Sequence, residues 1–258
     1  MGREVVNVNP WSLSALQITM RFKDTVCAHA TGSLWRMGQR IFLVTNWHNV
    51  TGKDRETGKH ISETLCEPNN LIIWFPGSEP GNWKGYPVCL FLPDGRPRWI
   101  EHPGPDQDVD LVCVEVHIPE GVMVNIANEI EHTPMVPEIG TDLFVIGYPF
   151  KLDTIGLPVW KRASLASEIE MDKYTGPNRF LIDTATRKGM SGSLVIRKAT
   201  GSFETGDDMF VISQDQPAYC LMGIYAGRLG ANKDGDAQLG IVWPRSFVEE
   251  LLEHAITL

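Results

Sequence analysis

Apolar positions along the chain come in short runs of Val, Ile, Leu, Phe and Trp, broken by clusters of Gly, Pro, Asn and Asp. Runs of this length, rich in β-branched and aromatic residues and bounded by turn formers, predict strands. Such segments fall at about 14–22, 26–36, 40–45, 70–75, 87–92 and 110–116, then 142–147, 158–168, 179–184, 192–197, 220–226 and 238–243. The Pro- and Glu-containing stretch from Ile118 to Pro137 separates six from six. A sheet closed on itself has no sticky edges, so two six-stranded antiparallel β-barrels are the expected all-β architecture. One domain over 1–258 is expected, with a first barrel at about 14–130 and a second at about 138–244. Between Lys198 and Tyr219 the chain is longer than a strand connection needs, which reads as an extra hairpin.

Helical periodicity emerges only near the C-terminus. After Pro244, Ser246 and Glu249 have capping-box spacing, while Phe247, Val248, Leu251, Leu252 and Ala255 share one face. A C-terminal α-helix over about 246–256 that packs on a barrel is the expectation.

Composition narrows the function classes. The 258 residues are 43% hydrophobic, enough for a sizeable core. A net charge of −9 argues against a nucleic-acid or anionic-membrane partner, since either needs a basic patch. The N-terminal segment lacks the apolar core of a signal peptide, and no segment has the length of a membrane helix. Five cysteines (Cys27, Cys66, Cys89, Cys113, Cys220) are an odd number without paired spacing. Free thiols in a reducing compartment, and hence a cytoplasmic location, are expected from them.

Three stretches carry the chemistry. Arg187-Lys188-Gly189-Met190-Ser191-Gly192-Ser193 sets a serine among glycines. Leu43-Val-Thr-Asn-Trp-His48 puts a histidine where an apolar run turns polar, and Asp108-Val-Asp110-Leu-Val puts a carboxylate at the opening of another. Serine, imidazole and carboxylate are the parts of a nucleophilic triad. Here they run His, Asp, Ser, an order of the chymotrypsin-like arrangement and neither that of subtilisin nor that of the α/β-hydrolases. Ser191 is read as nucleophile and His48 as base. The amides of Gly189 and Ser191 are read as an oxyanion hole, because a glycine two before the serine lets both point at one spot. For the third member Asp110 is favoured because it opens the buried run Leu111–Val116; Asp108 stays open as the alternative. Asp106-x-Asp108-x-Asp110 mimics the start of a calcium loop, yet Leu111 replaces the needed Gly and His117 the bidentate Glu. No metal and no cofactor are expected.

These stretches together resemble the bacterial trypsin-like peptidases of the HtrA and V8 (glutamyl endopeptidase) type. Thr31-Gly-Ser-Leu-Trp35 followed by Leu43–His48 is similar to their opening, and Gly140-Thr-Asp-Leu-Phe-Val-Ile-Gly-Tyr-Pro149 to the strand that begins their second barrel. Asp183–Gly192 is similar to their run into the nucleophile, Asp110–Val116 to the strand bearing their aspartate, and Met222-Gly-Ile-Tyr-Ala-Gly227 to the wall of the primary substrate pocket. The resemblance implies a chymotrypsin-like serine endopeptidase acting on protein or peptide substrates. It places Ala185 at the pocket base opposite Tyr225, Ala226 and Gly227. With no carboxylate there, a small or aliphatic P1 residue is implied, Arg228 leaving an acidic one open. The chain stops just after the terminal helix, so no PDZ module of the HtrA kind is expected. A catalytically silent binding module on the same double barrel, and an esterase with the same triad, remain as alternatives. The sequence says nothing of oligomeric state.

Overall fold

The computed structural model describes residues 7–79, 81–104, 109–149, 156–169, 178–205, 209–229 and 238–258. The first half is a seven-stranded antiparallel sheet: β1 Ala15–Phe22, β2 Thr25–Met37, β3 Arg40–Thr45, β4 Asn70–Pro76, β5 Trp83–Cys89, β6 Trp99–Glu101 and β7 Val112–Glu115, in the order β5-β4-β1-β2-β3-β7-β6. A short helix, α1 (Trp47–Thr51), leaves the end of β3. The second half is a closed barrel of β8 Asp142–Gly147, β9 Val159–Leu165, β10 Phe180–Asp183, β11 Leu194–Glu204, β12 Phe210–Arg228 and β13 Leu239–Pro244. Helix α2 (Arg245–Ala255) follows. The architecture is all-β and chymotrypsin-like, with a C-terminal helix.

Several strands are continuous apolar runs because both of their faces are buried. Side chains alternate across a strand. In β3, Leu43 therefore joins Leu16, Ile18, Leu34, Leu71 and Phe75 inside the first half, while Phe42 and Val44 face the other way. In the barrel, Val145, Val195, Tyr225 and Val242 fill the interior with Phe180 and Ile182. Their neighbours Ile146, Leu194, Ile224 and Trp243 turn outward to meet Phe42, Val44 and α2 in a third cluster between the halves. Helix α2 buries Val248, Leu251, Leu252 and Ala255 there, each of the larger ones contributing about 1.5–3 kcal/mol.

Details depart from the sequence expectation. The first sheet has seven strands and runs from edge β5 to edge β6 without closing. Strand β6 is only three residues long, too short for periodicity to reveal. Strand β5 lies earlier than predicted because it is an edge, where Gly85 and Pro87 are tolerated. Helix α2 begins one residue early and has no side-chain cap; Glu249 pairs with Arg245 Nε at 2.7 Å, so no capping box forms. The extra hairpin is present, with β11 and β12 pairing on from Ala199↔Ala218 through Gly201↔Ser213 to Glu204↔Phe210. No helix among the described residues is long and apolar enough to cross a membrane.

The expectation of five free thiols is corrected. Cys27 at the start of β2 is joined to Cys66 in the loop between α1 and β4, their Cα atoms 5.7 Å apart. The chain brings them together across 39 residues, which spacing alone could not reveal, and the disulfide removes the thiol argument for a reducing compartment. Cys89 is exposed, while Cys113 and Cys220 are buried; burial pushes the Cys113 thiol up to about 12, leaving it inert. A closed loop of this length stabilises the fold by about 4 kcal/mol in the chain-entropy account. Melting in dithiothreitol is therefore expected well below melting without it, with turnover at 25 °C retained. Equal melting temperatures would show that the bridge carries no stability.

Candidate active site

The end of β3 and the start of β7 build one side of the site. Thr45 pairs with Val112 across the ladder, so the antiparallel register carries Asp110 to the level of α1. Asn46, fully buried and extended, turns the chain into the helix; its carbonyl accepts from Asn49 N at 3.1 Å and its side-chain amide donates to Asp110 O at 2.7 Å. Gly52, at φ +73°, ends the helix by donating to His48 O.

Asp110 holds His48 at two points. Oδ1 accepts the His48 backbone amide at 2.9 Å, and Oδ2 accepts Nδ1–H at 2.6 Å. The carboxylate thereby fixes the tautomer that leaves Nε2 as acceptor. Both side chains are largely shielded, at 16% and 14% exposure. Burial depresses the His48 pKa, but attraction to Asp110, the hydrogen bond to it and the charge of Asp54 together raise it above the ordinary imidazole value. Beside them Arg55 lies over the Trp47 ring at 4.5 Å and pairs with Glu101 at 2.9 Å, while Glu101 accepts Trp47 Nε1–H. This brace stiffens α1 next to the histidine. Asp108 and Asp106 lie outside the described residues. Among the described residues no group of His, Cys, Asp or Glu could hold a metal.

The turn bearing Ser191 comes from the barrel. Gly189 stands at φ +99° and Gly192 at φ +86°, a region that glycine enters without steric cost. A Cβ at Gly192 would lie 1.9 Å from Thr31 O, so no larger residue fits. Met190 is buried among Phe180, Val195 and Tyr225 and anchors the turn, which closes with Ser193 N donating to Met190 O at 3.0 Å. Among the described residues nothing accepts from the Gly189 and Ser191 amides. Ser191 is half-buried, and its carbonyl accepts from Thr31 N at 2.8 Å and from Asn49 Nδ2 at 3.5 Å. The backbone of the serine is thus tied to the helix that bears His48, although no hydrogen bond joins Ser191 Oγ to the ring. Unliganded sites often leave that bond long or misaligned.

The predicted pocket residues lie against this turn. Gly192 N donates to Tyr225 O at 2.8 Å and Tyr225 N to Ser193 O at 2.9 Å, which lays Tyr225-Ala226-Gly227 of β12 along the serine. The Tyr225 ring turns into the barrel, where its hydroxyl hydrogen-bonds that of Thr186. Gly240 makes room for it, since a Cβ there would meet Tyr225 Cε2 at 2.5 Å. Ala185, next to Thr186, is half-buried. A separate cavity of about 780 Å³, with Trp11, Arg36, Ile126 and Tyr219 among its lining, contains none of these residues. The sequence reading missed Asn46, Asn49, Thr31 and Thr45. Only Asn46 and Asn49 carried a signal, flanking Trp47-His48 as buried amides.

Comparisons with known proteins agree with the geometry. The family described as "Trypsin-like peptidase domain" matches residues 30–203. No curated protein sequence matches significantly. Among solved structures, the active form of the Rv3671c protease from M. tuberculosis is similar at 17% identity, over 94% of this chain and 80% of that one, with a TM-score of 0.50. The HtrA-type protease AlgW, solved with a tripeptide, is similar at 12% identity, over 95% of this chain and 60% of its own, also at 0.50. A serine endoprotease from Yersinia pestis gives 14% identity, 98% and 68% coverage, and 0.49. At these identities the first two share the fold.

Proposed function

The chain belongs to the trypsin-like peptidase domain family and by that membership is a serine-type endopeptidase; we propose that it cleaves peptide bonds through Ser191, His48 and Asp110. Ser191 Oγ attacks the substrate carbonyl carbon as His48 Nε2 takes its proton. The Gly189 and Ser191 amides bind the oxyanion of the tetrahedral intermediate, each contributing about 3–4 kcal/mol. Collapse expels the amine, protonated by His48, and leaves an acyl-enzyme on Ser191 that water hydrolyses by the same steps in reverse. The observation that supports this most is the two-point grip of Asp110 on His48.

The Ser191–His48 hydrogen bond, absent here as in many unliganded sites, is what a silent binding module would also lack. A fluorophosphonate probe separates the two, because only an activated serine is labelled at an appreciable rate. Labelling of Ser191 supports the peptidase, and an unlabelled protein overturns it. Comparing a small ester with a peptide of the same acyl group separates an esterase. A cytoplasmic location, proposed from the sequence, now rests without the thiols that supported it.

The pocket chemistry indicates the P1 class. Tyr225 and Thr186 join their hydroxyls inside the barrel behind the Ser191 turn, and among the described residues assigned to the pocket there is no carboxylate to attract Arg or Lys. With a tyrosine ring occupying the barrel side, the proposed pocket takes a small P1 residue. Tyr225→Val is expected to improve cleavage after Leu or Phe, relative to Ala, by about tenfold or more. A peptide library cut chiefly after Lys or Arg, or an unchanged preference in the variant, would overturn this reading.

A further inference from the structure

Thr31 in β2 has every polar atom engaged, and two of its bonds reach Gly189 and Ser191, whose amides are the proposed oxyanion donors. Its amide donates to Ser191 O at 2.8 Å. Its hydroxyl donates to Gly189 O at 2.9 Å and accepts from Tyr148 N at 3.1 Å. Its carbonyl accepts from Thr45 Oγ1 at 2.9 Å, and Thr45 Oγ1 in turn accepts from Asn49 Nδ2 at 2.9 Å. The residue is fully buried, so no bulk water competes for these groups. The Thr31 hydroxyl therefore ties the Gly189 turn to the end of β8, and its backbone carbonyl continues the network through Thr45 and Asn49 to the helix carrying His48.

Gly189 needs such a clamp. Without a Cβ it can leave φ +99° at little steric cost, and its amide would swing away from the oxyanion position. Holding its carbonyl fixes the peptide that follows and restricts rotation about both backbone bonds. Oxyanion donors act through preorganisation, so a loosened amide lowers the rate without weakening ground-state binding. On the serine-peptidase reading above, we propose that Thr31 is a positioning residue whose buried hydroxyl locks the Gly189 peptide, so that the oxyanion hole is formed before substrate arrives.

Thr31→Val keeps the shape and removes the hydroxyl; Thr31→Ser keeps the hydroxyl. On a fluorogenic peptide below both melting points, the valine variant is expected to lose about tenfold to hundredfold in kcat with KM within about twofold. A peptide aldehyde, whose adduct with Ser191 places an oxyanion in the hole, should bind the valine variant more weakly by the same factor. The serine variant should recover both within about threefold. A purely structural role would lower the melting temperature but leave kcat and aldehyde affinity intact in the folded protein. If Thr31→Val does not fold, Thr31→Ala, with space for a water at the Tyr148 amide, is measured against Thr31→Ser in the same way. Wild-type protein that labels and cleaves, with a valine or alanine variant equal to it in kcat and aldehyde affinity, overturns the clamp alone. Wild-type protein that neither labels nor cleaves overturns the peptidase reading and the clamp with it.

Discussion

Ser191→Ala is expected to lower kcat on a casein-like substrate by about 10⁶-fold while leaving the melting temperature nearly unchanged. The two effects separate because the hydroxyl belongs to the chemistry and not to the packing. Ser191 is half-buried and Oγ makes no hydrogen bond among the described residues, whereas its carbonyl, which the substitution keeps, is held by Thr31 and Asn49. The turn should therefore persist around an alanine. His48→Ala should match the loss, and the double variant should be no worse than either, because nucleophile and base act as a unit. The residual rate over water would report the oxyanion amides together with substrate binding. Near-normal turnover in the alanine variant would remove Ser191 as nucleophile. Equal single losses that multiplied in the double variant would show that the two residues work independently.

What the sequence revealed and what it hid follow from the range of the interactions. Strands such as Arg40–Thr45, Asp142–Gly147 and Leu239–Pro244 were readable because their signal is local: an apolar run between turn formers. The three residues of the proposed triad stood out because each sits at the end of such a run. Strand Trp99–Glu101 was hidden because three residues hold no period, and its place is set by pairing with Val112–Val114. The Arg245–Glu249 pair, four residues apart, was missed because the helix was expected to begin one residue later. The Cys27–Cys66 bridge was hidden because partner choice is decided in space. The same holds for Thr31, whose threonine looks like any strand residue until the barrel places Gly189 and Tyr148 against its hydroxyl.

That spatial logic bears on how the two halves cooperate. The proposed base His48 and its carboxylate Asp110 come from the first sheet, the proposed nucleophile Ser191 and its neighbouring amides from the barrel. The apolar cluster between them sets the distance only coarsely, since packed side chains resist compression but leave small rotations open. Directional bonds complete the alignment: Thr31 N to Ser191 O, Thr31 Oγ1 to Gly189 O and Asn49 Nδ2 to Ser191 O. All of them are buried or nearly so, where an unmade bond is expensive, so they favour one relative placement of the halves.

Asp110→Asn is expected to lower turnover by about 10⁴-fold with little change in KM. The carboxylate accepts both the His48 amide and Nδ1–H. An asparagine can satisfy only one of these as acceptor; turned to present its NH2 group to the ring, it demands the tautomer with the proton on Nε2. That ring cannot take the proton of Ser191. The pH profile provides a second reading. In the native enzyme the pull of Asp110 and Asp54 outweighs burial, so kcat/KM should rise with pH as His48 deprotonates, with its inflection above the ordinary imidazole value of about 6.5. With the Asp110 charge removed, burial dominates and the inflection of the residual activity should fall below that of the native enzyme. Asp108→Asn, which leaves this partner in place, should cost less than about tenfold and keep the native inflection. The opposite result, with Asp108→Asn crippling and Asp110→Asn mild, would move the carboxylate role two residues along the chain. Were neither variant impaired, His48 would be working without a carboxylate and the triad would be wrong.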